Sequence, residues 1–269
     1  MAYTQPAFMV AHPLSELALS AFSLVAATGL SDDSKRALGD SRQGELAQYT
    51  ASGPDAGFIV DFSAVFTTFI VNRCVIPAGH TYDTYRLQLF SDDNIGFASA
   101  ITQFDINPIT GAGVIDQAMA TPTTTELFWL LRAPGSIAAD VFSLGELWLG
   151  ERVALSAADV QPLFKQDYTR NVATDVIGGR DVALELTPPR KQFTLGIRYV
   201  EPGSADWDIL EEVLRLGRTT PFWYWPPDST DPGPYLVKLD AEGSRAQENV
   251  VPRSGIHYSV RLSMTEQTS

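Results

Sequence analysis

The sequence predicts a mostly-β chain, a large β-sandwich followed by a smaller antiparallel sheet that packs with one α-helix. Three observations predict this. Short runs of β-branched and aromatic residues, split by turn residues, recur from Gly57 to Leu155. Two later runs alternate strictly between apolar and polar residues, as strands with one wet face do. Between those two runs lies one segment with both ends of a helix written into it.

In chain order, residues 1–13 read as an extended arm, because Pro6 and Pro13 hinder a helix. From Leu14 to Tyr49 the pattern is irregular, with turns at Ser31-Asp-Asp-Ser-Lys and Leu38-Gly-Asp-Ser-Arg. Strands are expected at Phe58-Ile-Val-Asp-Phe, Thr68-Phe-Ile-Val-Asn-Arg-Cys-Val-Ile and Tyr85-Arg-Leu-Gln-Leu-Phe, with turn chemistry at Pro77-Ala-Gly-His and Ser91-Asp-Asp-Asn. Glu126-Leu-Phe-Trp-Leu-Leu-Arg and the run from Phe142 to Leu155 add more. Residues 156–178 are polar, contain Pro162 and show no sustained alternation, so they read as a connection or a stretch that lies against a partner.

Beyond it, Phe193, Leu195, Ile197 and Tyr199 form one apolar strand face. Ile256, Tyr258, Val260, Leu262 and Met264 form another. The helix between has Ser204 as N-cap, Asp206 and Asp208 in the first turn, Arg215 in the last, and Gly217 at the C′ position. Trp207, Leu210, Val213 and Leu214 share its apolar face.

Composition narrows the function. The 269 residues carry 45% hydrophobic and 19% charged residues, an ordinary globular balance. The formal net charge of −13, without a clustered basic patch, argues against nucleic acid as a partner. The longest uncharged apolar stretch, Leu17 to Leu30, is shorter than the ~20 residues a membrane-spanning helix needs. No leader is evident at Met1–Gln5, so synthesis in the cytoplasm and no membrane span are expected. The single cysteine, Cys74, sits in an apolar run and reads as a core residue.

A search for chemistry gives little. His12, His80 and His257 lack zinc-ligand spacing. Nucleophile-elbow, phosphate-loop and dinucleotide motifs are absent, and Asp32-Asp33, Asp92-Asp93 and Glu211-Glu212 read as solvated pairs or tight turns. No catalytic, metal or cofactor site is expected, and the chain reads as no enzyme. The aromatic run Phe222-Trp-Tyr-Trp225 stands out. Strand alternation gives Phe222 and Tyr224 to the core and leaves Trp223 and Trp225 to be covered by a loop, a sugar or another protein. Trp223, Trp225 and the nearby Arg218 are therefore the interface candidates.

The C-terminal order is the Phe193–Tyr199 strand, the acidic helix ending in Leu-Arg-Leu-Gly-Arg, then Thr-Thr-Pro-Phe-Trp-Tyr-Trp-Pro, Tyr-Leu-Val-Lys-Leu and Tyr-Ser-Val-Arg-Leu-Ser-Met-Thr-Glu. This order resembles the sheet-plus-helix domain of tailed-bacteriophage tail-tip and baseplate proteins, the distal tail and minor tail group. The N-terminal half, with Leu17 to Leu24, Leu38-Gly-Asp-Ser-Arg, Phe58-Ile-Val-Asp-Phe and Val71-Asn-Arg-Cys-Val-Ile-Pro-Ala-Gly-His leading to Tyr85-Arg-Leu-Gln-Leu-Phe, resembles a galactose-binding-like jelly roll.

The resemblances imply a jelly roll over 1–155 with an N-terminal arm, a connection over 156–178 and a tail-ring assembly domain over 179–269. That domain order is the reverse of the commonest distal tail proteins. They further imply a virion structural protein that forms a homo-oligomeric ring and contacts tail tube, hub and tape-measure proteins. The alternative is a carbohydrate-binding module for cell-surface glycans.

Overall fold

The computed structural model describes residues 5–39, 45–123, 125–156, 165–177, 180–227, 230–231, 233–240, 244–248 and 257–267. The chain divides into two compact units, residues 11–152 and the segments 1–10 with 153–268 that flank them.

Residues 11–152 form an antiparallel sandwich, the jelly-roll unit expected for this half of the chain. One layer has five strands in the order Phe22–Val25, Ala56–Asp61, Phe128–Ala133, Leu87–Asp92 and Ile101–Ile106. The opposing strands form two three-stranded sheets. One runs Val141–Leu144, Ala47–Ala51, Ala27–Thr28, and the other Trp148–Gly150, Val71–Ile76, Ile115–Thr123. Alternation sends Phe58, Val60, Leu87, Leu89, Trp129 and Leu131 into one core from the first layer. Tyr49, Cys74, Ile76, Phe142 and Leu144 meet them from the other. Each such side chain contributes about 1.5–3 kcal/mol by leaving water. Cys74 is fully buried, which pushes its thiol pKa up, and it is a core residue as expected.

The flanking segments form an eight-stranded antiparallel sheet with one helix. Ala205–Leu216 is helical, with Ser204 Oγ accepting the amide of Trp207 at 3.1 Å and Gly217 closing the far end at φ +62°. Ile209, Leu210 and Val213 pack with Phe193, Leu195, Ile197, Val260, Leu262 and Met264.

Three sequence expectations are corrected. Residues 7–9 are not part of a free arm. The strand Ala7–Met9 pairs on one side with Val153–Ala154 and on the other with Phe222–Trp225. Pro6 and Pro13 exclude a helix there but not a short strand, and Pro6 lies just before it, its carbonyl accepting the amide of Leu155 at 2.9 Å. The sheet unit therefore begins before the jelly roll, which is inserted into it. Residues 165–177 are not a connection either. Lys165–Ile177 is a strand paired along its length with Arg180–Val200. Only residues 192–200 of that long strand also pair with His257–Glu266. Among the described residues, 168–177 with 180–191 therefore form a two-stranded ribbon, whose first strand shows no sustained alternation. Finally, Trp223 and Trp225 are 2% and 5% exposed, so the chain itself covers both faces of that strand.

His12 gives the jelly roll a pH dependence. Its ring stacks on Trp148 at 3.9 Å, and Nε2 lies 3.3 Å from the Leu147 carbonyl. Burial lowers its pKa from 6.5 to about 4, against the opposing hydrogen bonds to the backbone of Leu147 and Gly39. The folded state thus binds fewer protons than the unfolded state between those values. Its stability contribution is complete above about pH 6.5 and is lost as pH falls toward 4. Urea unfolding of the full chain should show a loss of about 3 kcal/mol across that window, and a His12→Phe variant should lack that component.

Candidate functional site

The strand ends of the jelly roll place five turns at one end of the sandwich. They are the turn at Ala26, residues 52–55, 77–86, 107–114 and 134–140. Backbone hydrogen bonds stitch them together. Gly79 N–H reaches Ala112 at 2.8 Å, Thr84 N–H reaches Ile109 at 3.0 Å, and Ile109 N–H returns to Tyr85 at 2.9 Å. Ala139 N–H reaches Ala51 at 2.9 Å, and Ser136 Oγ bridges the amide of Ala56 and the carbonyl of Gly53. Asp83 accepts the amide of Gly111 at 2.7 Å, and Asp140 accepts that of Ile137 at 2.8 Å.

This stitching holds four non-glycine residues in left-handed backbone conformations: Ala26 (φ +45°), Asp55 (+62°), Thr84 (+71°) and Ala139 (+77°). Each costs on the order of 1–3 kcal/mol and persists only where its surroundings over-determine it. Thr84, β-branched, is the most unfavourable of the four, and it precedes Tyr85.

Tyr85 is half-buried, its ring edge-on to Phe142 at 4.9 Å. Desolvation and a hydrogen bond with Asp140 raise its pKa. Next to it, Arg86 forms a bidentate pair with Asp105, with Nε to Oδ1 at 2.8 Å and Nη2 to Oδ2. Gln88 donates to Asp105 at 2.8 Å, and Arg132 donates to Gln88 at 3.1 Å while lying 4.5 Å over the Phe90 ring. Arg86 chiefly, with Gln88 adding, holds the Asp105 carboxyl down at about 2 against desolvation. Asp55 also contributes to the field at Arg86. The arrangement offers an aromatic edge, carboxylates and a guanidinium within a rigid rim.

Apart from the loop end, a concavity of about 660 Å³ lies beside the short helix Asp32–Ala37, lined by Leu14, Leu17, Leu19 and Phe22 below a charged rim. Two rim residues are already engaged within that helix: Lys35 with Asp32 at 3.8 Å and Arg36 with Asp33 at 2.9 Å.

The residues singled out from the sequence do not converge. Trp223 and Trp225 are buried in their strand, whereas Arg218 is exposed in the turn after the helix. The paired acids have structural partners. Asp92 accepts the amides of Asn94 and Ser99, both at 2.9 Å, which makes the tight turn expected there, and Glu211 meets Arg215 at 3.4 Å. Among the described residues, no group of three or more His, Cys, Asp or Glu side chains could hold a metal ion, and no helix is long and apolar enough to cross a membrane. The loop-end group escaped the sequence reading because Tyr85 and Asp140 are far apart in the chain and the strained φ values at Asp55, Thr84 and Ala139 fall on residues other than glycine.

No protein-family model and no curated protein matches the sequence. Solved structures are similar to about half of the chain. Chitosan-binding module 1 of a chitosanase/glucanase from Paenibacillus sp. IK-5 is 14% identical, with 48% of this chain and 93% of that one covered and a TM-score of 0.38. A CBM32 module of Clostridium perfringens in complex with GalNAc-β-1,3-galactose is 10% identical, with 49% and 97% covered and a TM-score of 0.37. The C-terminal domain of a chitobiase from Bacteroides fragilis is 10% identical, with 52% and 99% covered and a TM-score of 0.37. Likeness at these identities concerns the fold alone.

Replacement of Arg86 by Met should release the Asp105 carboxyl from about 2 toward the ordinary value of about 3.9. A carboxyl-resolved NMR titration reads this directly. A value that stays near 2 would assign the effect to Gln88 and Arg132 instead.

Proposed function

We propose that this protein is not an enzyme but a binding protein, whose jelly-roll unit takes carbohydrate at the loop end around Tyr85. The observation that carries the reading is the strained, cross-stitched rim that fixes Tyr85 against Asp140, with Asp83 tied to Gly111 and Arg86 to Asp105 in the same loops. Backbone strain of this kind gathers where a ligand is held. Sugar recognition needs an apolar ring face against an aromatic side chain, with carboxylate or guanidinium forks for the hydroxyls. Residues 11–152 carry seven Lys and Arg against sixteen Asp and Glu. A unit of that charge repels polyanionic glycans, so neutral or amino sugars are the expected class.

A second reading concerns the sheet unit, as an assembly part of a bacteriophage tail tip or baseplate. It would form a ring of identical subunits at the distal end of the tail, in contact with tail tube, hub or tape-measure proteins. The protein would then be made in the host cytoplasm and reside in the virion. The ribbon favours this reading. A two-stranded ribbon is marginal in water by itself, and among the described residues its strands offer open backbone edges. Neighbouring subunits in a closed ring would satisfy both.

A glycan array probed with the folded full chain tests the carbohydrate reading. Neutral or amino-sugar glycans should bind, polyanionic ones should not, and Tyr85→Ala should weaken binding by about tenfold or more. Silence across the array, or unchanged binding by Tyr85→Ala, would sink it.

A further inference from the structure

The ribbon has a definable root. At Gln192 the long strand pairs with both Asp167 and Thr265, so three strands run side by side there. One residue earlier, at Lys191, the third strand no longer pairs. Just beyond lies a weak point. The register slips between Thr169 and Val172, opposite Pro188 and Pro189, which have no N–H to give the ladder. A ribbon joined to its sheet through such a spot can swing unless something fixes its first residue.

Lys191 is fixed from three directions. Its backbone N–H donates to the Glu266 carboxylate at 3.2 Å. Its ammonium donates to Asp231 Oδ2 at 2.5 Å and to the Tyr235 hydroxyl at 2.5 Å, and lies 4.3 Å from the centre of the Tyr235 ring. The triangle closes because the Tyr235 hydroxyl donates to Asp231 Oδ1. Tyr235 in turn packs at 5.1 Å on Phe193, a fully buried core residue. Burial works against the ammonium, but Asp231 and Tyr235 outweigh it and hold Lys191 charged. The side chains of Lys191 and Asp231 are 20% and 32% exposed, so the latch sits at the margin of the core rather than inside it.

We infer that Lys191, with Asp231 and Tyr235, is a positioning latch that sets the direction in which the ribbon leaves the sheet and thereby governs assembly. This rests on the assembly reading of the sheet unit. The unit's own fold depends on the pairing of residues 192–200 and on the helix core, neither of which the latch supplies. The ribbon's open edges, in contrast, can meet those of a neighbour only if they point the right way.

The test uses the full chain and three forms: wild type, Lys191→Met and Lys191→Arg. Two readouts are followed, sedimentation against concentration and hydrogen exchange of the amides at 180–187. Lys191→Met should keep its melting transition, exchange those amides about tenfold faster, and need about tenfold more protein to assemble. Lys191→Arg, which keeps the charge, should recover most of both. A wild type that assembles alongside an equally competent Lys191→Met would overturn the latch while leaving the assembly reading intact. A wild type that stays monomeric at every concentration would remove the assembly reading, and the claim that the latch governs assembly with it. Unchanged exchange in Lys191→Met would overturn the latch by itself.

Discussion

The pairing of Ala7–Met9 between Val153–Ala154 and Phe222–Trp225 is the constraint on which the rest depends. Three residues at the start of the chain and a strand more than two hundred residues later share one ladder. Phe8, fully buried, stacks on Tyr224 at 5.3 Å. The chain leaves this sheet at Val10 and returns to it at Val153, and everything between folds as its own unit. Closing so long a loop costs only slightly more than closing a short one, because the entropy grows with the logarithm of length. The insertion is therefore physically inexpensive, and it ties the two halves of the sheet unit together at its first strand.

That topology separates two kinds of chemistry. The jelly roll holds most of the acidic excess and the strained loop rim, the features of a selective surface. The sheet unit holds the ribbon with its open edges and the latch at its root, the features of a part that joins others. The proposed division between recognising and assembling rests on where the strain, the charge and, among the described residues, the unpaired backbone lie.

Much of the fold was legible because it obeys short-range rules. Alternation marked Phe193, Leu195 and Ile197, and Ser204 and Gly217 marked both helix ends. Three strands of the five-stranded layer, Ala56–Asp61, Leu87–Asp92 and Phe128–Ala133, followed from their β-branched and aromatic runs, whereas Phe22–Val25 and Ile101–Ile106 did not. Tyr199 and Ile256, also expected on those faces, lie outside the described side chains and residues. What the sequence hid was either short or irregular in pattern. Ala7–Met9 is three residues long, and its partners are remote. Residues 165–177 show no sustained alternation, so nothing in that run marked the strand. Trp223 and Trp225 misled because period-two logic assumes one wet face, whereas this strand is covered on both. The loop end was hidden because its residues meet only after the sandwich has formed, and because Asp55, Thr84 and Ala139 take positive φ without being glycine.

Native-state hydrogen exchange at the amides of Phe8 and Met9 tests the inserted topology most directly. The account predicts that they exchange with the same protection as the amides of the Phe222–Trp225 strand, opening only when the whole sheet unit opens. Rapid exchange at Phe8 and Met9 while Phe222–Trp225 stays protected would contradict it, and would return the first residues to the status of a loose arm.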